Sequence, residues 1–136
     1  MLKISKSVEY SIFALRQIYF SKETSLPTAK DIAEKENIPS ELVAKLLQKL
    51  KKNGILESVQ GKFGGYRFST DPTKISLYTI VEAIDIDIQL TECLCENATK
   101  DDCARIENCS LRNPFYKLQD EIIALMKNLK LTNLFN

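Results

Sequence analysis

The order of elements between residues 28 and 69 constrains the fold most strongly. A short helical segment, TAKDIAEKENI, opens with Thr28 and Asp31 spaced as in a capping box. The turn ENIP separates it from a second helix, where Pro39 suits the first turn because no backbone N–H is needed there. An Asn-Gly pair suited to a left-handed C-cap ends that helix, and the glycine-rich QGKFGG joins two short strands. Two helices, a turn and a β-hairpin in this order predict a winged helix-turn-helix.

Helical periodicity flanks this unit on both sides. Apolar residues at helical spacing predict a buried first helix over about 5–21 and another over 77–85. The last helix is expected to begin with Asn113 as N-cap and Pro114 at the first helical position. Its apolar residues step alternately by three and four, as in an a/d seam of about two heptads: Phe115, Leu118, Ile122, Leu125 and Leu129. Such a seam packs on its own domain or on a second subunit. We expect a homodimer, because helix-turn-helix proteins commonly read paired half-sites as two-fold dimers.

The expected fold class is mainly α with a small β-hairpin wing, namely a winged helix-turn-helix plus a long C-terminal dimerisation helix. Residues 1–75 are expected to form the DNA-binding domain. Residues 76–136 hold a helix, a cysteine-rich loop over about 90–112 and the dimerisation helix, in the same compact unit. The 136 residues, 44% of them apolar, suit one globular domain. No apolar run approaches the roughly 20 residues that span a bilayer, and no leader is visible, so we expect a cytoplasmic protein without a membrane partner.

The chain contains no histidine. This absence excludes a Ser-His-Asp triad, a Cys-His pair and an H-E-x-x-H zinc site. The sequence also lacks a GxGxxG motif and a P-loop. We therefore expect no enzyme, no catalytic residues and no small-molecule substrate.

Positive charge is concentrated in the second helix of the helix-turn-helix and in the wing. The whole chain carries only +1, but residues 45–67 hold six basic residues and a single acid. The N-terminal end of a recognition helix meets base edges, and Ser40, Glu41 and Lys45 lie there. The other candidate DNA contacts are Thr28, Lys49, Lys51, Lys52, Gln60, Lys62 and Arg67. The lysines alone would also suit a solvated helix face, and the order of elements favours DNA.

All four cysteines lie in CLCENATKDDCARIENC, residues 93–109, with the spacing C-x-C-x7-C-x5-C. In a reducing compartment this pattern favours metal or redox chemistry over disulfides. Thiolates at this density can ligate an iron–sulfur cluster. Zinc fits poorly, because neither close pair has the two to four intervening residues of a zinc knuckle. A thiol redox switch and a set of inert thiols are the remaining interpretations.

The chain resembles the bacterial Rrf2 family of winged-helix transcriptional regulators over essentially its whole length. The matching segments are LKISKSVEYSIFAL, IPSELVAKLLQKLKKNGILESVQGKFGGYRF, ISLYTIVEAID and the cysteines that follow LTE. The wing GKFGGYRF after LKKNGILESV is the most specific of them. The resemblance implies a homodimeric regulator, such as a repressor, that binds a double-stranded operator and senses nitric oxide, redox or iron–sulfur status.

The resemblance also implies a [2Fe–2S] or [4Fe–4S] cluster, which aerobic purification can remove. Cys103 and Cys109 match the second and third cysteine ligands of the family. Either Cys93 or Cys95 matches the first, and the other is a spare thiol or a ligand of its own. Glu9 of the partner subunit is expected to be the fourth ligand, although it would also suit an exposed helix position.

Two other functions stay open at this point. One is a cluster-free DNA-binding regulator whose thiols sense oxidants or thiol metabolites directly. The other is a protein-interaction winged helix in which the cysteines hold a structural metal.

Overall fold

The computed structural model describes residues 3–85, 88–94 and 97–135. The main elements of the described residues are α1 (Lys6–Tyr19), α2 (Ala29–Glu36), α3 (Ser40–Lys52), β1 (Leu56–Val59), β2 (Gly65–Phe68), α4 (Leu77–Ile84) and α5 (Arg112–Asn128). Short 3-10 turns occupy Pro72–Lys74, Glu92–Leu94 and Leu131–Leu134. This order confirms the predicted mainly helical fold with a small wing. Within the described ranges, no helix has the length and apolar character required to cross a membrane.

Caps and turns build the helix-turn-helix from local interactions. The N–H of Thr28 donates to the Asp31 carboxylate at 2.9 Å, and the Asp31 N–H donates to the Thr28 hydroxyl at 3.2 Å. These bonds complete the predicted capping box and hold the pKa of the Asp31 carboxyl below its usual value. α2 ends at Asn37 in the left-handed region, with φ of 55°, and α3 starts directly after Pro39. Gly54 adopts the predicted left-handed conformation after α3, with φ of 77°.

The wing, formed by β1, β2 and the loop between them, packs closely against the segment before α2. β1 and β2 pair antiparallel, and the N–H of Tyr66 donates to the Pro27 carbonyl at 2.9 Å. A Cβ added at Gly65 would lie 2.5 Å from the carbonyl oxygen of Pro27. A Cβ added at Gly64 would lie 2.1 Å from the carbonyl oxygen of Val59. Both positions require glycine, because backbone atoms occupy the space that a side chain would need.

One hydrophobic core is shared by the winged helix and the C-terminal segments. Its fully buried side chains include Leu15 from α1, Leu47 from α3, Ile80 from α4 and Leu131 from the last 3-10 turn. Burying a side chain of this size stabilises the fold by about 1.5–3 kcal/mol. The Leu131 N–H also donates to the Ile75 carbonyl at 2.8 Å, which fixes the end of the chain beside the start of α4. The element that carries the candidate DNA contacts is thus held by the same core as α4.

α5 begins earlier than the sequence predicts. The prediction of Asn113 as N-cap is wrong, because the helix starts at Arg112 and Leu111 takes the cap position without a side-chain bond. The Phe115 N–H donates to the Leu111 carbonyl at 3.0 Å. Pro114 still lies in the first turn, where its missing N–H has no intrahelical acceptor to lose.

Candidate nucleic-acid interface and cysteine segment

α3 buries one face and presents polar side chains on the other. The buried face consists of Val43, Leu46, Leu47 and Leu50. Ser40, Glu41 and Lys45 are exposed at or near the N-terminal end of the helix, as the sequence predicts. Thr28 is exposed at the start of α2, where its hydroxyl accepts the capping-box bond. Hydroxyl, carboxylate and ammonium groups on one helix end provide both donors and acceptors for the edges of bases in a major groove.

Two side-chain hydrogen bonds join α3 to the wing. The Lys51 ammonium donates to the Ser58 hydroxyl at 2.9 Å. The Gln48 amide donates to the Tyr66 hydroxyl at 3.1 Å. These bonds connect the helix to both strands, so α3 and the wing form one surface. Sequence reasoning missed Gln48 and Tyr66, because their partners lie on different elements.

Arg67 and Lys52 are exposed candidates for phosphate contacts. Arg67 stands opposite Glu57 in the hairpin register, and its Nε lies 2.6 Å from the Glu57 carboxylate. About half of each side chain is exposed, so this ion pair is worth at most about 1 kcal/mol and a phosphate can compete for the guanidinium. Lys52 lies at the end of α3, and it takes part in no ion pair within the part of the chain that the structure describes.

Lys49 links α3 to the end of α4. Its ammonium donates to the carbonyl oxygen of Ile84, the last residue of α4, at 3.2 Å. A cation at this end of a helix interacts favourably with the helix dipole. The next residue, Asp85, accepts a hydrogen bond from the Ser5 hydroxyl at 2.9 Å, so α1, α3 and α4 meet here. Lys49 was predicted to contact a phosphate. In the structure its ammonium contacts the Ile84 carbonyl of the same chain.

The tip of the wing carries Lys62 and Phe63 side by side. The N–H of Gly64 donates to the Gly61 carbonyl at 3.0 Å, which closes a four-residue turn with these two residues at its centre. Gln60 and Lys62 are exposed at the tip, as predicted. Phe63 is 68% exposed, and the Lys62 ammonium lies 5.7 Å from the centre of its ring. Sequence reasoning missed Phe63, although an aromatic residue between two glycines of a hairpin turn was a usable signal.

The cysteine segment, residues 93–109, consists of short turns where it is described. Cys93 is buried in a 3-10 turn at 8% exposure, and its sulfur lies 3.0 Å from the Thr91 hydroxyl. Cys103 and Cys109 are half-buried, and all three described cysteines are free thiols. The fourth predicted ligand thiol, Cys95, lies outside the described residues. Of the three described thiols, two are thus partly accessible and one is enclosed.

The donor chemistry of the segment fits an iron–sulfur cluster, because thiolates are the usual ligands of these cofactors. Within residues 3–85, 88–94 and 97–135, no group of three or more Cys, Asp or Glu side chains is placed to hold a metal ion. Glu9, the predicted ligand from the partner subunit, pairs with Lys6 at 2.8 Å, and this hydrogen bond raises the pKa of the Lys6 ammonium. The ligand assignment stays a prediction.

Arg112 and Gln119 of α5 contact the chain on both sides of the first three cysteines. Gln119 is buried, and its side-chain oxygen accepts from the Leu90 N–H at 2.8 Å. The Arg112 guanidinium donates to the Ile106 carbonyl at 3.3 Å. Its Nε is buried and makes no hydrogen bond to any other described residue. These contacts join α5 to the cysteine segment and to the residues just before it.

α5 leaves a regular apolar stripe exposed to solvent. Three of the five residues of the predicted seam are half-buried in the single chain: Phe115, Ile122 and Leu129. Leu118 and Leu125 are 44% and 70% exposed, and Leu111, seven residues before Leu118, is 55% exposed. These three residues form the leucine stripe. Their spacing of seven places them in one line along the helix, which is the pattern of a helix–helix seam.

The sequence is similar to known transcriptional regulators along its whole length. The family model described as Rrf2, iron-dependent transcriptional regulator, matches residues 4–136. The HTH-type transcriptional regulator IscR of Vibrio vulnificus (strain YJ016) is 27% identical over 135 residues, which are 99% of this chain and 78% of that protein. IscR of Escherichia coli O1:K1 / APEC is 24% identical, with 99% of this chain and 81% of that protein covered.

Solved structures of regulators share the fold. The structure of CymR (YrzC), the global cysteine regulator of B. subtilis, matches with a TM-score of 0.74 at 21% identity, covering 99% of this chain and 97% of that chain. The oxidized form of Staphylococcus aureus CymR gives 0.73 at 19% identity, with 99% and 97% covered. T. potens IscR gives 0.69 at 20% identity, with 98% and 85% covered. The curated relatives are transcriptional regulators, which confirms the prediction that the chain is not an enzyme.

Proposed function

The chain belongs to the Rrf2 family of transcriptional regulators and is a DNA-binding protein, and from that premise we propose that it binds a two-fold operator as a homodimer whose cysteine segment controls occupancy. The observation that carries the proposal is the joining of α3 to the wing by the Lys51–Ser58 and Gln48–Tyr66 bonds. This surface has an exposed polar helix end beside a basic hairpin. A recognition helix and a wing held together can enter adjacent grooves of one duplex.

We assign direct base contacts to the N-terminal end of α3. Lys45 can donate to the O6 and N7 atoms of guanine, and Glu41 can accept from the N4 amino group of cytosine. Ser40 can act as donor or acceptor. Lys52, Arg67 and Lys62 are assigned to phosphates, which fix register and orientation but carry no base information.

The proposed dimer forms through the leucine stripe. Leu111, Leu118 and Leu125 lie in line and are exposed in the single chain, so they are available to a second α5. A two-fold contact is self-complementary, and one stripe therefore supplies both halves of the interface. Full burial of a leucine contributes about 1.5–3 kcal/mol, and these partly exposed residues would gain a fraction of that each.

We propose that the cysteine segment is the signal-receiving part of the regulator. Cys103, Cys109 and one or both of Cys93 and Cys95 would hold an iron–sulfur cluster together with Glu9 of the partner subunit. The thiol content and the iron-dependent description of the matching family support this assignment. A bound cluster would supply reactivity towards nitric oxide and redox agents.

The contacts of this chain provide a route from the segment to the DNA surface. Arg112 connects the segment to α5, Gln119 connects α5 to Leu90 just before the segment, and Lys49 connects α3 to the end of α4. A signal changes operator occupancy only through the difference in DNA affinity between two states of the protein. A coupling of about 1–3 kcal/mol corresponds to roughly 5- to 150-fold in affinity.

A second candidate is direct thiol sensing without a metal. The thiols of the described residues are free, and no three ligands are gathered among them. Regulators with this fold include one named as the global cysteine regulator and one solved in an oxidized form. In this alternative the half-buried Cys103 and Cys109 would react first, because the buried Cys93 is less accessible.

Anaerobic purification followed by absorption spectroscopy and iron and sulfide analysis separates the two candidates. For the cluster regulator we expect visible absorption bands with matched iron and sulfide, lost in Cys103→Ala and kept in the neighbouring control Ser110→Ala. Full iron content in Cys103→Ala would contradict the ligand assignment. A colourless protein whose affinity for duplex DNA changes after oxidant treatment would establish the thiol sensor instead.

A further inference from the structure

The side chain of Phe63, at the tip of the wing, does not pack against the hydrophobic core of its own chain. Its side chain is 68% exposed, and it belongs neither to the core nor to the apolar residues packed on the core. Its described neighbour is the Lys62 ammonium, 5.7 Å from the ring centre. The ring is exposed at the apex of the hairpin turn, where another molecule can reach it.

The backbone of the tip is shaped to present these two side chains. Gly61 has φ of 112°, a conformation that L side chains rarely adopt. Gly64 has no room for a Cβ, which would lie 2.1 Å from the Val59 carbonyl oxygen. The bond from the Gly64 N–H to the Gly61 carbonyl closes the turn at 3.0 Å. The glycines thus make a tight turn with Lys62 and Phe63 at its apex.

We propose that Phe63 enters the minor groove next to the base pairs contacted by α3 and wedges between two stacked base pairs, while Lys62 contacts a neighbouring phosphate. This inference rests on the proposed DNA-binding function and deepens it. An apolar wedge accompanied by a cationic side chain is the combination with which minor-groove proteins unstack a base step and bend the duplex. The hydrogen bonds from α3 to Ser58 and Tyr66 join the strands that carry the tip to the recognition helix.

The wedge gives the protein a source of sequence preference besides hydrogen bonds to bases. Pyrimidine–purine steps, TA and CA/TG, unstack and kink most easily. Phe63 therefore selects such a step at the flank of each half-site, where no base edge is read. The chemical partner of the wing is a deformable duplex.

The test uses duplexes selected by the wild-type protein from a random pool, with 2-aminopurine placed beside the flanking pyrimidine–purine step. Unstacking raises the fluorescence of this base. We expect wild-type protein and Phe63→Leu to raise it, and Phe63→Ala to abolish the rise and weaken binding by about tenfold. The matched control Lys62→Ala should keep the rise and reduce the salt dependence of log K by about one charge, whereas Phe63→Ala should leave that slope unchanged. Thermal melting of Phe63→Ala should match the wild type, because the ring is exposed.

The outcomes separate this inference from the proposed function. Phe63→Ala with wild-type affinity and a wild-type fluorescence rise overturns the wedge and leaves DNA binding intact. A reduced salt slope in Phe63→Ala also overturns it, because the ring would then act only by placing Lys62. Wild-type protein that binds no duplex overturns both proposals.

Discussion

The ammonium of Lys49 lies 3.2 Å from the carbonyl oxygen of Ile84, so the candidate recognition helix is fastened directly to the end of α4. The next described residues after that helix end, Asp85 and then Ile88, lead towards the cysteine segment. This bond therefore connects the candidate DNA surface to the helix that precedes the segment carrying the thiols.

Removal of the Lys49–Ile84 hydrogen bond should lower the stability of the fold. We expect Lys49→Ala to lower the free energy of unfolding by about 0.5–1.5 kcal/mol, because the α4 carbonyl loses a charged donor. Lys52→Ala is the matched control from the same helix, and we expect a change within about 0.5 kcal/mol. Urea denaturation measures both. Equal stability of the two variants would show that the Lys49 contact contributes nothing.

Charge in the leucine stripe should separate the subunits. We expect the double variant Leu118→Asp with Leu125→Asp to be a folded monomer in sedimentation, because both side chains are exposed in the single chain and their burial in the dimer would strand two carboxylates. Phe20→Asp, at an exposed aromatic residue of α1's end, serves as control and should stay dimeric. A dimeric double variant would place the interface elsewhere.

Gly65 should resist substitution more than Gly54. A Cβ at Gly65 meets backbone oxygen at 2.5 Å, so Gly65→Ala must displace the strand or the segment before α2 and should cost about 1–3 kcal/mol. At Gly54 a Cβ meets nothing within 4 Å, and Gly54→Asn retains a residue that tolerates the left-handed conformation. Denaturant unfolding of the two variants gives the comparison, and a smaller loss in Gly65→Ala would contradict the close approach.

Acid should remove the contribution of the α2 capping box. The hydrogen bonds from Thr28 lower the pKa of Asp31 in the folded chain below its ordinary value of 3.8, so this stability is present above that pH and is lost as the pH falls through the folded pKa. We expect Asp31→Asn to be less stable than the wild type by about 0.5–1 kcal/mol at pH 7 and equal to it near pH 2. A difference that persists unchanged at pH 2 would rule out the carboxylate as its source.

Replacing Lys45 and replacing Lys52 should have different effects on the affinity for operator and for random duplex. Lys45→Ala should weaken binding to a selected operator by about 1–3 kcal/mol more than binding to random duplex, because it removes a base contact. Lys52→Ala should weaken both by similar factors and reduce the salt slope by about one charge. Titrations of both duplexes at several salt concentrations test this, and equal losses for Lys45→Ala would reassign it to a phosphate.

Features with local causes could be predicted from the sequence. The Thr28–Asp31 box, the left-handed Gly54 and the glycine-rich hairpin depend on neighbours a few residues away, and each is found as expected. The contacts of Lys49 could not be predicted, because its acceptor lies 35 residues along the chain. The N-cap of α5 was predicted at Asn113, two residues after its actual position. Proline is tolerated at several positions of a first turn, so Pro114 did not fix the start of the helix.

The structure of the cysteine segment could not be predicted from the spacing of its cysteines. Its composition predicts thiol or cluster chemistry, but the set of ligands depends on backbone turns and on a second subunit. The burial of Cys93 is a property of the folded chain that no spacing encodes. The exposure of Leu111, the N-cap of α5 in line with the predicted seam, likewise depends on where the folded helix begins.

The equal spacing of the leucine stripe has a geometric consequence for a two-fold dimer. Leu118 is its midpoint, so an axis perpendicular to α5 at that residue brings Leu118 against its own copy and Leu111 against Leu125 of the partner subunit. Fourteen residues of helix separate the ends of the stripe by about 21 Å. The two cysteine segments, each joined to the beginning of its own α5, would then sit at opposite ends of the interface, and two signal molecules could act on one dimer without touching each other.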